Sequence, residues 1–234
     1  MPHAVDHTAI LDRLAASRGG ARNAFETLDP ARTAHVIIDM QNGFVEPGAP
    51  VEVPMAREIV SEVNRLSAAV RAAGGRNYFV RYTTPHGDVP NWPVMWSRLG
   101  PEGAKVHQDA FTPGAHHWQL WPEIEVAEGD AVLDKHRFSA FTPGTSGLPA
   151  MLEADGIDTV IISGTLTNCC CESTARDAMQ HNYRVIMAAD ANAALSDEEH
   201  AATLHILGLV FADLRSVEEL EGMLAAANAP AEAA

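Results

Sequence analysis

Basic residues are scarce in this 234-residue chain, where 16 lysines and arginines stand against 31 aspartates and glutamates. The resulting formal net charge of −15 repels phosphate backbones and anionic membrane surfaces. We therefore expect neither a nucleic acid nor a membrane as a partner. Roughly 100–200 residues make one domain, so a single well-buried α/β domain accounts for most of this length.

Long apolar runs are also missing. No stretch approaches the ~20 apolar residues that cross a membrane, and residues 1–7 lack the basic and apolar regions of a secretory signal. Cysteine is limited to three residues in a row, Cys169, Cys170 and Cys171. Their adjacency excludes a disulfide framework and the C-x-x-C spacing of zinc and redox sites. These absences predict a cytoplasmic protein in a reducing compartment.

Motifs of three other enzyme classes are absent. The chain has no G-x-S-x-G nucleophile elbow, since the spacing of residues 144–147 is different. It also has no phosphate-binding G-x-x-x-x-G-K-[ST] loop, and no G-x-G-x-x-G follows the first predicted strand. Serine hydrolases, P-loop enzymes and dinucleotide oxidoreductases are therefore excluded.

What the chain does contain is an alternation of short apolar runs and amphipathic segments. Clusters of β-branched and apolar residues predict strands, and apolar residues recurring every three or four positions predict helices. The predicted strands are 34–39, 77–82, 131–134, 159–162, 184–188 and 209–212; the predicted helices are 7–17, 54–73, 147–154, 171–181, 197–207 and 216–226. This order predicts a three-layer α/β/α Rossmann-like fold, with about six mainly parallel strands and helices on both faces.

The same pattern divides the chain into parts. Residues 1–24 are expected to form an N-terminal helical extension, residues 25–225 the α/β domain, and residues 226–234 a flexible tail of low complexity. Between residues 84 and 128 the alternation gives way to a segment rich in proline, glycine and histidine that holds all four tryptophans. Segments of this length without regular structure are usually functional, so we expect a lid or binding loop there.

Reactive side chains close three of the predicted strands. Asp39 ends the first, Lys135 follows 131–134, and the cysteines follow 159–162. Ligands of open parallel sheets bind beyond the carboxyl ends of the strands, where a carboxylate, an ammonium group and a thiol would meet. The helix that follows the cysteines would favour a thiolate. Alternatively, the charged residues are merely the first solvated positions, and the cysteines are small core residues.

Three stretches resemble, in order and spacing, the signatures of the isochorismatase-like cysteine hydrolases. They are 36–44, 134–141 and 164–178, and the resemblance covers about residues 25–225. The third stretch is the most specific, because the family pattern runs glycine, two variable residues, Thr, Asn or Asp, one variable residue, and then the catalytic cysteine. Counted from Gly164, that cysteine is Cys170.

This resemblance implies an Asp–Lys–Cys triad, carried over here to Asp39, Lys135 and Cys170. It also implies a cis peptide between Thr165 and Leu166, which would direct the Leu166 N–H, with the Cys170 N–H, towards an oxyanion. The implied activity is hydrolysis of a non-peptide C–N bond through a thioester, without a cofactor, by a homodimer or homotetramer. Two alternatives stay open: a vinyl ether hydrolase of the isochorismatase type, and a non-catalytic binding protein on the same fold.

Within the family, residues 137–141 and 172–177 are most similar to the ureidoacrylate and N-carbamoyl amidohydrolase branch. A small amide or ureido compound is therefore the expected substrate. Nicotinamidases carry an Asp-x-His metal motif after the second strand, and residues 81–88 lack it, so no catalytic metal is expected. The pairs His116–His117 and His200–His205 show no convincing ligand set and are interpreted as surface or loop histidines.

Position and aromatic character add six candidate substrate contacts: Gln41, Phe44, Thr84, Trp92, Trp96 and Phe138. The tryptophans, including Trp118 and Trp121, would stack on a planar substrate, line a subunit interface or pack within the lid. Phe44 and Phe138 are equally suited to the core. The sequence leaves these alternatives open.

Overall fold

Six strands form one parallel sheet in the computed structural model of the chain, which describes residues 3–6 and 8–227. The strands are β1 (Thr33–Ile38), β2 (Arg76–Tyr82), β3 (Ala131–Lys135), β4 (Thr159–Thr165), β5 (Arg184–Ala193) and β6 (Asp213–Arg215). Their order across the sheet is β3-β2-β1-β4-β5-β6, and every neighbouring pair is parallel. The predicted α/β fold is confirmed. Residues 228–234 of the predicted tail lie outside the described residues, as do residues 1, 2 and 7.

Helices cover both faces of this sheet. They are α1 (Thr8–Ser17), α2 (Asn42–Val45), α3 (Val60–Ala72), α4 (Pro93–Ala110), α5 (Leu148–Ala154), α6 (Glu172–Gln180), α7 (Asp197–Val210) and α8 (Val217–Ala227). One core contains buried side chains of α3 and α8, and the other contains those of α1, α5, α6 and α7. Among the described residues, no helix is both long and apolar enough to cross a bilayer.

The apolar run of β1 explains its central place. Val36 and Ile38 belong to the core of α5, α6 and α7, whereas Ile37 belongs to the core of α3 and α8. A strand that is covered on both faces is rich in apolar residues, and the buried polar side chain of His35 makes a hydrogen bond with Ser163 Oγ at 2.7 Å. On one side of β1 the sheet continues through β2, and on the other through β4, so the carboxyl end of β1 lies at the point where the strand order reverses. This is the end at which Asp39 follows.

The prediction for the last strand is wrong. Helix α7 continues to Val210, and the strand is Asp213–Arg215 rather than 209–212. The Asp213 carboxylate accepts hydrogen bonds from the backbone N–H groups of Ala24 and Phe25, at 2.8 and 2.7 Å. Ala24 lies 189 residues away in the chain. Because a contact between residues so far apart in the chain fixes the position of the strand, the pattern of neighbouring residues cannot predict it.

The predicted lid, 84–128, is not a structureless segment, because helix α4 occupies its centre. The helix is interrupted at Gly100, whose φ of 70° and ψ of 169° are non-helical, and Pro101 follows directly. A glycine at positive φ stops regular helical geometry, and a proline is tolerated in the first turn of the helix that resumes after it. The lid segment therefore contains two helical pieces joined by a kink.

Candidate active site

Asp39 and Lys135 form a buried ion pair at the carboxyl end of the sheet. Lys135 Nζ donates to Asp39 Oδ2 at 2.8 Å, and both side chains are 0% exposed. The ammonium group also donates to the Arg137 carbonyl at 3.2 Å and lies 5.3 Å from the ring centroid of Tyr82. Tyr82 belongs to β2, the strand between β1 and β3. The desolvation of two charges offsets much of their attraction, so stability alone gives little reason for such a pair.

The turn after β4 brings Cys170 to this pair. Residues Thr167–Cys171 form a π-helical turn ahead of α6, and Cys170 is buried within it. Its thiol lies near enough to Asp39 and Lys135 to influence the ionisation of both. The second carboxylate oxygen, Asp39 Oδ1, is buried and has no hydrogen-bond partner of normal geometry among the described residues. That oxygen is available to take a proton.

Burial and the neighbouring charges set the pKa values of these groups. Burial raises the pKa of Asp39, against the opposing effect of Lys135. Burial alone would lower the pKa of Lys135, but Asp39 and Cys170 raise it by more, so the amine stays charged. The hydrogen bond with Cys169, burial and the Asp39 charge all raise the pKa of the Cys170 thiol. These three influences favour the protonated thiol at rest, whereas the helix terminus alone favours a thiolate.

The three adjacent cysteines are not equivalent. Cys171 is fully buried, with its Sγ 3.9 Å from the Ser163 carbonyl, and so packs in the core. Cys169 is half-buried, and the hydrogen bond with Cys170 lowers the pKa of its thiol. Because ionisation of either thiol raises the pKa of the other, the two thiols titrate together, and Cys169 is a second candidate nucleophile beside Cys170.

A close approach of two backbones shapes the turn. Gly164 has a φ of 109°, and a Cβ added there would lie 2.1 Å from the Ile38 carbonyl oxygen. Only glycine allows β4 to pass so near the end of β1. The Thr165–Leu166 peptide bond is cis, and the Leu166 carbonyl accepts the N–H groups of Cys169 and Cys171 at 3.1 and 3.2 Å. Leu166 and Cys170 thus belong to one tight turn.

Two of the candidate substrate contacts, Trp92 and Phe138, pack against each other beside the loop that follows Lys135. Their ring centroids are 4.9 Å apart, and Trp96 adds a further ring 6.5 Å from Trp92. The Arg137 guanidinium lies 4.8 Å from the Trp92 ring centroid and donates to the Pro90 carbonyl at 2.9 Å. Arg137 therefore joins the lid to the strand end that carries Lys135.

The other three candidates make contacts within the protein. Gln41 is buried, and its amide donates to the carbonyls of Tyr82 and Trp118 and accepts from the Tyr82 N–H. Thr84 Oγ1 donates to the Gln108 carbonyl at 3.0 Å, and Phe44 packs on Phe111 with centroids 4.9 Å apart. These side chains hold the segments around the site together, and their role in substrate binding stays a prediction.

The remaining tryptophans pack against the body of the domain. Trp118 Nε1 donates to Thr83 Oγ1 at 2.9 Å, and the Arg81 guanidinium lies 3.8 Å from its ring centroid. The backbone N–H of Trp121 donates to the carbonyl of Met40 at 2.9 Å, and Met40 is the residue after Asp39. Both residues therefore support the strand ends from which the site is built.

One residue near the site was missed by the sequence analysis. Glu46, at the end of α2, lies 2.7 Å from His116 and 3.7 Å from His117, measured between Oε2 and the Nε2 atoms. His116 is 70 positions further along the chain, so no spacing rule connects the two. Of the second histidine pair, His200 is buried and hydrogen-bonded to Thr167 Oγ1 at 2.9 Å.

Comparison with known proteins places this geometry in context. Residues 33–219 match the family model described as the Isochorismatase domain. The ureidoacrylate amidohydrolase RutB of Methylobacterium radiotolerans is 30% identical over 216 residues, which cover 84% of this chain and 81% of that protein.

Two solved structures extend the comparison. A cysteine hydrolase from Pseudomonas syringae pv. phaseolicola 1448A is 25% identical with a TM-score of 0.75, covering 88% of this chain and 98% of its own. The N-carbamoylsarcosine amidase from Thermoplasma acidophilum is 27% identical with a TM-score of 0.64, covering 80% of this chain and 97% of its own.

Proposed function

This chain belongs to the isochorismatase family of hydrolases, and from that premise we propose that it is a cysteine-dependent amidohydrolase. The proposed substrate is a small carboxamide, ureido or N-carbamoyl compound, whose linear C–N bond is cleaved through a thioester. A ureidoacrylate amidohydrolase and an N-carbamoylsarcosine amidase are among the proteins similar to it, which supports this class of substrate.

The observation that carries the proposal is the buried Asp39–Lys135 pair with the Cys170 thiol beside it. A binding protein would have little use for two charges that are fully removed from water. A nucleophile needs a neighbouring group that accepts its proton, and Asp39 Oδ1, which has no hydrogen-bond partner of normal geometry among the described residues, can take that role.

The first half of the reaction forms the thioester. As Cys170 Sγ attacks the carbonyl carbon of the substrate, the thiol proton passes to Asp39 Oδ1 and the carbonyl oxygen takes the negative charge. The N–H groups of Leu166 and Cys170 would stabilise this oxyanion, and one such donor is worth about 2.7–4 kcal/mol. Asp39 then gives the proton to the leaving nitrogen as the C–N bond breaks.

The second half releases the acyl group. A water molecule gives a proton to Asp39 and attacks the thioester carbon, and the proton returns to Cys170 Sγ as the C–S bond breaks. Lys135 stays protonated throughout, because Asp39 and Cys170 raise its pKa. Its constant charge offsets the negative charge that moves between carboxylate and thiol.

The experiment is a panel assay of ammonia release from ureido acids, N-carbamoyl amino acids and simple carboxamides. With any substrate that is turned over, Cys170→Ser should abolish activity, whereas the matched variant Cys169→Ser should keep most of it. Mass spectrometry of the quenched reaction should find the acyl group on Cys170. Full activity of Cys170→Ser would refute the assignment, and loss of activity in Cys169→Ser alone would transfer it to Cys169.

The same panel tests the alternatives. Turnover of a vinyl ether that persists in Cys170→Ser would replace the proposal by an isochorismatase-type reaction, and no turnover of any compound would favour a binding protein. The cytoplasmic location and the homodimer or homotetramer stay predictions. Light scattering during size-exclusion chromatography measures the oligomeric state directly.

A further inference from the structure

Glu46, His116 and His117 form a cluster of three metal-ligand side chains outside the proposed catalytic centre. One ligand atom from each lies within 4.8 Å of the other two. Glu46 follows α2, and both histidines belong to the segment between α4 and β3. We propose that this cluster binds one divalent transition-metal ion, with zinc as the best match.

The distances fit a tetrahedral ion. Zinc binds imidazole nitrogen and carboxylate oxygen at about 2.0–2.2 Å, so two of its ligand atoms lie about 3.3 Å apart. The Glu46 Oε2 atom is 2.7 Å from the His116 nitrogen and 3.7 Å from the His117 nitrogen, on either side of that value. The three ligand atoms lie within 4.8 Å of one another, so the side chains must rotate towards the ion to bind it.

The ligand types select the kind of metal. Two imidazoles and one carboxylate suit zinc, nickel or copper, whereas calcium and magnesium prefer oxygen ligands alone. Three protein ligands leave the fourth position to water. The His116 side chain is 63% exposed, which gives the ion a path from solvent.

The backbone already holds the two histidines in place. Asn42 Nδ2 donates to the His116 carbonyl and the Gly43 N–H donates to the His117 carbonyl, both at 2.9 Å. A Cβ on Gly43 would lie 3.1 Å from the His117 carbonyl oxygen and 2.5 Å from the Phe111 ring, so this approach requires glycine. Since the scaffold is ordered before the ion arrives, little conformational entropy is lost on binding.

The charges around Glu46 also favour a cation. In the part of the chain that the structure describes, the ion-pair partners of Glu46 are His116 and His117. Neither has the permanent charge of a lysine or an arginine, which would compete with a metal ion for the carboxylate. A divalent ion would join both sides of the contact between the end of α2 and the lid segment.

Isothermal titration of zinc chloride into the full-length protein at pH 7.5 tests the proposal. Cysteine thiols also bind zinc, so the titration uses Cys169→Ser/Cys170→Ser as the background for every variant. We expect one equivalent of zinc to bind. Loss of a group that only hydrogen-bonds a metal ligand costs about 10–100-fold in affinity. Glu46→Gln and His116→Asn remove the ligands themselves, so each should weaken binding by more than about 100-fold.

The matched control is Glu123→Gln, which changes an exposed glutamate outside the cluster and should bind zinc like the background. Absence of zinc binding would overturn the proposal, as would equal affinities of Glu46→Gln and Glu123→Gln. His117→Asn provides an independent third variant if either ligand variant fails to fold, which circular dichroism would show.

Discussion

Replacing Lys135 by methionine should destabilise the protein as well as inactivate it. The substitution keeps a long, unbranched side chain but removes the positive charge that stands 2.8 Å from the fully buried Asp39. Burial already raises the pKa of this carboxyl, and Lys135 is the main influence that opposes it. Without the lysine, Asp39 must stay charged in an apolar environment or take up a proton.

The size of the effect follows from the burial of the pair. Breaking a buried ion pair by removing one partner costs about 3–5 kcal/mol. In a protein of 150–250 residues, each kcal/mol shifts Tm by about 2–4 °C, so the expected fall is about 6–20 °C. Surface ion pairs such as Lys105–Asp109, whose side chains are 75% and 65% exposed, offer a contrast, since such pairs contribute about 0–1 kcal/mol.

The double variant Asp39→Asn/Lys135→Met separates stability from catalysis. Asp39 has a φ of 54°, a conformation that asparagine also tolerates, so this exchange removes charge without adding backbone strain. Because no unpaired charge is left, the double variant should regain at least half of the stability that Lys135→Met loses. Its activity should stay absent, because the proton acceptor is gone.

Urea unfolding followed by tryptophan fluorescence and by circular dichroism measures the stabilities, with Lys105→Met as the surface control. A Lys135→Met protein as stable as the parent would refute the argument from burial. A double variant no more stable than Lys135→Met would show that the loss comes from packing rather than from the unpaired carboxylate.

Two further predictions concern the residues behind the site. Burial lowers the pKa of His35 to about 3, against about 6.5 in the unfolded chain, so the unfolded state binds the proton first. Stability should therefore fall as the pH drops from about 6.5 towards 3, by about 1.4 kcal/mol at pH 5.5 from this residue, and urea unfolding should show a smaller fall in His35→Gln. Gly164→Ala should be destabilised by more than about 1–3 kcal/mol, because it adds a contact with the Ile38 carbonyl to the strain of positive φ. Thermal unfolding should show a smaller loss for Gly156→Ala, where φ is also positive but the space is open, and equal losses would contradict the close approach of β4 to β1.

The sequence predicts much of the fold because its signals are local. The β-branched run 36–38 needs cover on both faces, which indicates a central strand, and parallel strands end at one edge, which brings Asp39 and Lys135 together. The position of the last strand could not be predicted, because it depends on contacts between residues that are distant in the chain. Residues 209–212 are as apolar as a strand, but hydrogen bonds from Ala24 and Phe25 to Asp213 fix the real strand further along.

The site likewise has features that the sequence predicts and features that depend on contacts between distant residues. The choice of Cys170 rests on the family pattern counted from Gly164, whereas the raised pKa of its thiol depends on contacts with Cys169, on burial and on Asp39, which is distant in the chain. The meeting of Glu46 with His116 and His117 depends on hydrogen bonds from Asn42 and Gly43 to a segment some 70 positions later. Only the folded chain brings these groups together.

The strand order divides the proposed catalytic residues between the two halves of the chain. Asp39 follows β1 and Lys135 ends β3, whereas Cys170 follows β4. The two halves of the sheet meet where β1 pairs with β4, from Thr33–Thr159 to Ile38–Gly164. In the proposed mechanism, a fragment that ends before β4 would hold the proton acceptor without the thiol, and the complementary fragment the thiol without the acceptor. Cleavage in the turn at 142–147 should therefore yield two inactive pieces, and recovered hydrolysis would report their reassembly.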